Sequence, residues 1–156
     1  MIWETMTHLG DYWFVVVVAV AFWLGFERDS GPWPVVVVLG AIGLVTILKA
    51  MFAVPRPPGA EIGGYAFPSG HALGSTVAYG MLAIKINSRR AYLVAAVVVA
   101  IVAWSRVAIG VHYPIDVAVG MGVGLAYLAI ALSMVGRLKM IEPTKKPAVT
   151  DGGIHE

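Results

Sequence analysis

Five apolar stretches dominate this chain: Leu9–Phe26, Trp33–Phe52, Phe67–Ile86, Ala91–Ile109 and Ile115–Val135. Each is close to the roughly 20 residues that an α-helix, rising about 1.5 Å per residue, needs to cross a hydrocarbon core. Lipid offers no partner to a backbone N–H or C=O, so segments of this length must satisfy their own hydrogen bonds as helices. That overrides the strand propensity of runs such as Val15–Val18 and Val35–Val38. The expected fold is all-α, a polytopic membrane bundle of about five transmembrane helices. Composition agrees: the 156 residues are 59% hydrophobic and 13% charged, against about half and about a quarter in a soluble domain. The first stretch is no cleavable signal peptide, because Glu4 and Asp11 stand where a basic start belongs.

The breaks between stretches are equally legible. Glu27–Pro34 is a charged turn, Pro55–Gly64 is too rich in proline and glycine for a helix interior, and Lys85–Arg90 is a short basic turn. Ile109–Pro114 is a tight connection whose proline suits the start of the last helix. One membrane-embedded domain is expected over 1–140, followed at 141–156 by a polar, proline-bearing segment that reads as a disordered cytoplasmic tail. Cysteine is absent, which excludes disulfides, thiolate metal sites and a cysteine nucleophile. A net charge of +2 gives no reason to expect a nucleic-acid partner.

Where the charges fall sets an orientation. Of eleven Lys and Arg, all except Lys49, Arg56 and Arg106 map to one membrane face: Arg28, Lys85, Arg89, Arg90, Arg137, Lys139, Lys145 and Lys146. The positive-inside rule makes that face cytoplasmic. The N-terminus is then outside and the C-terminus inside.

The polar residues that interrupt the apolar pattern gather toward the other face: Lys49, Arg56, Ser69, Gly70, His71, Arg106, His112 and Asp116. Ionisable residues in a membrane span are costly and mark a functional site. Lys49, Arg56 and Arg106 are cations suited to a multiply charged anion such as phosphate, arginine through its planar fork and lysine as a point charge. Ser69 and Gly70 open a helix, whose free N–H groups and positive dipole end favour the same ligand. His112 and Asp116, four apart, share a helix face, so the carboxylate can orient the ring and leave one nitrogen free as nucleophile or base. His71 has no acid one turn away and suits proton donation to a leaving group. His8, His155 and Glu61 read as ordinary residues with no part in the chemistry. The patterns Gly70-x3-Gly74 and Gly120-x3-Gly124 mark close helix packing.

These residues fall into three spaced motifs: K-x6-R-P from Lys49 to Pro57, P-S-G-H from Pro68 to His71, and S-R-x5-H-x3-D from Ser105 to Asp116. Together, complete and in order, they resemble the type 2 phosphatidic acid phosphatase superfamily, which also includes vanadium haloperoxidases. The resemblance implies that His112 attacks phosphorus to form a phosphohistidine, Asp116 assists it, and His71 protonates the leaving oxygen. Lys49, Arg56, Ser69, Gly70 and Arg106 would hold the phosphate. No metal and no other cofactor is implied. The implied substrate is a lipid phosphate monoester or a polyprenyl diphosphate, with membrane lipids as the surroundings. Many membrane members have six helices, so five suggest a minimal version.

Overall fold

A computed structural model describes residues 2–141, with side chains as far as Arg137. Of the expected tail at 141–156, Ile141 still belongs to the last helix and the rest lies outside the described residues. Six α-helices follow in order: α1 (Ile2–Thr7), α2 (Tyr12–Phe26), α3 (Trp33–Phe52), α4 (Gly70–Ile86), α5 (Arg89–Ala108) and α6 (Pro114–Ile141). No strand occurs among the described residues. The helices α2 to α6 correspond to the five apolar stretches. The sixth, α1, runs through a 3₁₀ turn at His8–Gly10 into α2, and the pair is bent by 50° at Asp11. Among the described residues, α3, α5 and α6 are individually long and apolar enough to cross a membrane, and the bent pair makes a fourth candidate. At 17 residues, α4 is shorter.

The helix ends follow from local chemistry. Pro34 sits in the first turn of α3, where its missing N–H costs nothing. That helix stops at Ala53, in the left-handed conformation, whose N–H closes onto the Lys49 carbonyl. Ser69 caps α4 and Ser88 caps α5, each side chain accepting from the backbone N–H three residues on. Asn87 ends α4 in the left-handed conformation that asparagine tolerates.

Helix α4 is the axle of the bundle. Its Leu73, Val77, Ala78 and Met81 are buried against Val15, Ala19 and Phe22 of α2, Val38, Ala41 and Val45 of α3, and Leu128 of α6. Large apolar side chains elsewhere point outward, among them Val36, Ile47, Met51, Val94, Val97, Trp104, Leu125 and Ile130. In water that surface would be an aggregation hazard; in lipid it is ordinary solvent contact.

Packing in lipid relies on small residues that let backbones approach. A β-carbon on Gly120 would lie 2.6 Å from the Ser69 carbonyl oxygen, and one on Gly124 would lie 3.0 Å from that of Leu73. The α6 glycine pair is therefore the seam between α6 and α4. Across the bundle, the Tyr127 hydroxyl of α6 donates to the Val37 carbonyl of α3 at 2.9 Å.

The up-and-down order brings the starts of α2, α4 and α6 and the ends of α3 and α5 to one end of the bundle. At the other end Lys85 pairs with the buried Glu27, which also accepts from the Trp33 indole at 3.2 Å. This ion pair ties the α2–α3 turn to the end of α4.

Candidate active site

The chain's three-motif residues converge at the end opposite Glu27 and Lys85. His112 and Asp116 are both buried. His112 Nδ1 lies 3.2 Å from Asp116 Oδ2, which also accepts the Tyr113 N–H at 2.9 Å. An ionised carboxylate can only accept, so Nδ1 carries the proton and Nε2 presents a lone pair. Arg56 Nη1 stands 3.4 Å from that Nε2. Backbone bonds brace the pair: the N–H groups of Val111 and His112 both reach the Arg106 carbonyl at 3.2 Å, and the Ser69 N–H reaches the Asp116 carbonyl at 2.9 Å. The head of α4 and the first turn of α6 are thus locked together.

Burial, followed by the positive charges of Lys49, Arg56 and Arg106, pushes the His112 imidazole down to about 3. Its ring is therefore neutral, with an available lone pair, across the range where an ordinary histidine titrates.

The three cations are held in place without being neutralised. Lys49 Nζ donates to the carbonyls of Tyr65 and Ala66 at 2.6 and 3.1 Å. Arg56 donates through Nε to Gly63 at 3.1 Å and through Nη1 to Val111 at 3.0 Å, both carbonyl oxygens. Arg106 Nη1 donates to the Thr7 hydroxyl at 2.6 Å, and its Nε is buried with no partner among the described residues. None of the three forms an ion pair with a carboxylate among the described residues. Ser69 and Gly70 are buried at the head of α4. There the Ala72 N–H is taken by Ser69 Oγ and that of Leu73 by the Ser69 carbonyl, while the first N–H groups of the helix have no carbonyl of their own helix to reach. Among the described residues no three His, Asp or Glu side chains come together in a metal-binding arrangement.

All eight residues singled out by motif are therefore at one site. The structure adds three that local spacing did not reveal, all from the bent N-terminal segment. Asp11 Oδ1 lies 2.8 Å from His71 Nε2, supplying the carboxylate that His71 lacks along its own helix. Thr7 holds Arg106. The hydroxyl of Tyr12 occupies the space that a β-carbon at Gly70 would need. His8, read from sequence as an ordinary residue with no part in the chemistry, bonds the second oxygen of Asp11 at 2.7 Å.

Known proteins share this architecture. A phosphatidylglycerophosphatase B from Bacillus subtilis is 28% identical over 136 residues, covering 77% of this chain and 67% of that protein. An undecaprenyl-diphosphatase from Sulfolobus acidocaldarius is 34% identical over 85 residues, covering 53% of this chain but only 40% of its own length. Among solved structures, the transmembrane PAP2-type phosphatidylglycerolphosphate phosphatase of Bacillus subtilis superposes with a TM-score of 0.72 at 24% identity, covering 90% of this chain and 78% of that one. LpxE of Aquifex aeolicus gives 0.64 at 19% identity, covering 85% and 84%. Residues 31–140 match the family model of the PAP2 superfamily. With that match over most of the chain, and with apolar helices of membrane-crossing length, this is a multi-pass membrane protein belonging to the PAP2 superfamily.

Proposed function

We propose that the protein hydrolyses a phosphate monoester or diphosphate on a membrane lipid, through a covalent phosphohistidine at His112 and without a metal. The observation that carries this reading is the state of the cations. Among the described residues, Lys49, Arg56 and Arg106 are anchored by carbonyls and a hydroxyl rather than by carboxylates, and the buried Arg106 Nε–H has no partner. Buried donors are nearly always satisfied, and a phosphate oxygen would complete this set. In the reaction, His112 Nε2 attacks phosphorus while Asp116 stabilises the imidazolium that forms. The cations and the α4 N–H groups bind the equatorial oxygens as their charge grows. His71 gives its proton to the departing oxygen, then takes one from the water that attacks the phosphohistidine. An apolar groove of about 320 Å³ between α4, α5 and α6, lined by Thr76, Gly80, Ala96, Ala100, Met121 and Leu125, offers a place for the lipid tail.

The deciding experiment is phosphate release by the purified protein from a panel of lipid mono- and diphosphates, with EDTA present. Turnover of at least one lipid phosphate, undiminished by the chelator and inhibited by vanadate as a mimic of five-coordinate phosphorus, is the expected result. Activity lost to EDTA and restored by a divalent ion would defeat the metal-free mechanism. No turnover of any panel member would defeat the functional reading.

We infer that the site faces outward, because the described basic residues outside the motifs, Arg28, Lys85, Arg89, Arg90 and Arg137, fall toward the opposite end. The chain has no cysteine, and Glu61 and Ser30 are exposed at opposite ends. An impermeant thiol reagent on intact cells should label Glu61→Cys and spare Ser30→Cys. The reverse pattern would invert the topology.

A further inference from the structure

We propose that Asp11 is a positioning residue for the reaction, fixing which nitrogen of His71 faces the phosphate and stabilising that ring while it carries the proton. The proposal rests on the lipid phosphatase reading but adds a residue outside the 31–140 span that matches the family. Asp11 and His71 are sixty positions apart, yet Asp11 Oδ1 lies 2.8 Å from His71 Nε2. The other carboxylate oxygen is held by His8 Nδ1 at 2.7 Å and the Trp13 indole N–H at 3.2 Å, so the carboxyl group has a fixed plane.

The segment that presents Asp11 is itself pinned at several points. Thr7 accepts from Arg106 at 2.6 Å, and the Leu9 carbonyl accepts from the Tyr79 hydroxyl at 2.9 Å. Gly10 packs its backbone so closely that a β-carbon there would stand 3.2 Å from His71 Cβ and 2.5 Å from a Val102 methyl. This is a built contact, made by residues on four elements.

An imidazole that donates a proton must present the right nitrogen, and a neutral ring can hold its hydrogen on either one. With Nε2–H held by Asp11, Nδ1 is the atom left to face the substrate. The donor is the imidazolium, with hydrogen on both ring nitrogens; as the P–O bond breaks, its electron pair goes to the leaving oxygen, which takes the Nδ1 proton. His71 is then neutral, with its remaining hydrogen on Nε2 and still held by Asp11. When water attacks the phosphohistidine, Nδ1 takes the water's proton, the bond from phosphorus to His112 breaks, and the His71 imidazolium is restored. Asp11 keeps its negative charge throughout and favours the protonated ring.

Four proteins test this: wild type, Asp11→Asn, His71→Ala and the double variant, with Asp11→Glu as a rescue. Each is assayed on a lipid phosphate, whose alkoxide leaves poorly, and on 4-nitrophenyl phosphate, whose phenolate leaves well. Asp11→Asn should lower kcat on the lipid by about 10- to 100-fold, within the range for general acid catalysis, and should hurt the nitrophenyl ester less. Asp11→Glu should recover part of the loss. In the His71→Ala background, adding Asp11→Asn should cost less than about 2-fold, because the two act as a unit. Equal losses in both backgrounds, or equal losses for both leaving groups, would overturn the proposal. A second measurement needs neither turnover nor a folded variant. In ¹⁵N-histidine spectra of the wild-type protein, the neutral His71 ring should carry its hydrogen on Nε2. A ring protonated on Nδ1 alone would overturn the assignment even if every lipid on the panel proves a substrate. The Nε2–H form would support it even if none does.

Discussion

Replacing His112 with alanine should lower turnover by about 10⁴-fold or more, the scale on which removal of a covalent nucleophile is felt. The other imidazole at the site, His71, has its Nε2 held by Asp11 and is committed to the leaving-group proton. Asp116→Asn should keep the fold and lose about 10²- to 10⁴-fold, because an amide can leave the ring in the wrong tautomer. Mass spectrometry of acid-quenched enzyme, digested under alkaline conditions to preserve the labile bond, should find phosphate on His112 and none on His71. The pH profile carries a further mark. A group at about 3 is already deprotonated from about pH 5 to 8. The acid limb of kcat/KM in that window should therefore not belong to His112. Neutralising a neighbouring cation with Arg56→Gln should let the imidazole rise, because one of the charges opposing its protonation is gone. Full activity in His112→Ala, or phosphate on His71, would reverse the roles of the two histidines.

Gly120→Val should be the most damaging substitution outside the polar residues. Even a β-carbon there meets the Ser69 carbonyl at 2.6 Å and the Ala72 β-carbon at 3.2 Å. The first of these is backbone and cannot rotate away. Overpacking a tight seam costs about 1–3 kcal/mol, occasionally more. Here the strain falls beside the Ser69-to-Asp116 backbone bond that registers the phosphate end of α4 against the nucleophile's carboxylate. Activity should fall further than thermal stability. Gly122 is the internal control: a β-carbon there meets nothing within 4 Å, so Gly122→Ala should be close to neutral in both measurements. If both glycines tolerate a side chain, the α4–α6 seam is not as tight as described.

What the sequence discloses, and what it hides, divides along physical lines. Helices α2 to α6 are legible because lipid demands long apolar runs, and the starts of α4 and α6 because Ser69 satisfies a terminal N–H and Pro114 forgoes one. The convergence of Lys49, Arg56, His71, Arg106, His112 and Asp116 is legible because each sits near a helix end facing the same way. The bend at Asp11 is not. Leu9–Phe26 reads as one apolar run, and a helix hydrophobic on all sides carries no periodicity to show where its axis turns. Partnerships such as Asp11 with His71, or Thr7 with Arg106, join residues sixty and ninety-nine positions apart, beyond any spacing rule. One signal was present: Asp11 is an acid inside an apolar run, and such residues seldom stand there without a partner.

The shortness of α4 decides at what depth the chemistry takes place. Seventeen residues at about 1.5 Å each make a rod of about 25 Å, against a hydrocarbon core of about 30 Å. One end of that rod is moored near the surface by Lys85 and Glu27. Set upright in such a core, a rod of that length would end, at Ser69, Gly70 and His71, several ångströms short of the opposite edge of the hydrocarbon. A phosphate that lives in bulk water has to shed its hydration and descend to reach this plane. One attached to a lipid already rides just above it and needs only a small downward excursion. On the proposed lipid phosphatase reading, partitioning would thus favour a lipid-borne phosphate before any side chain touches its head group.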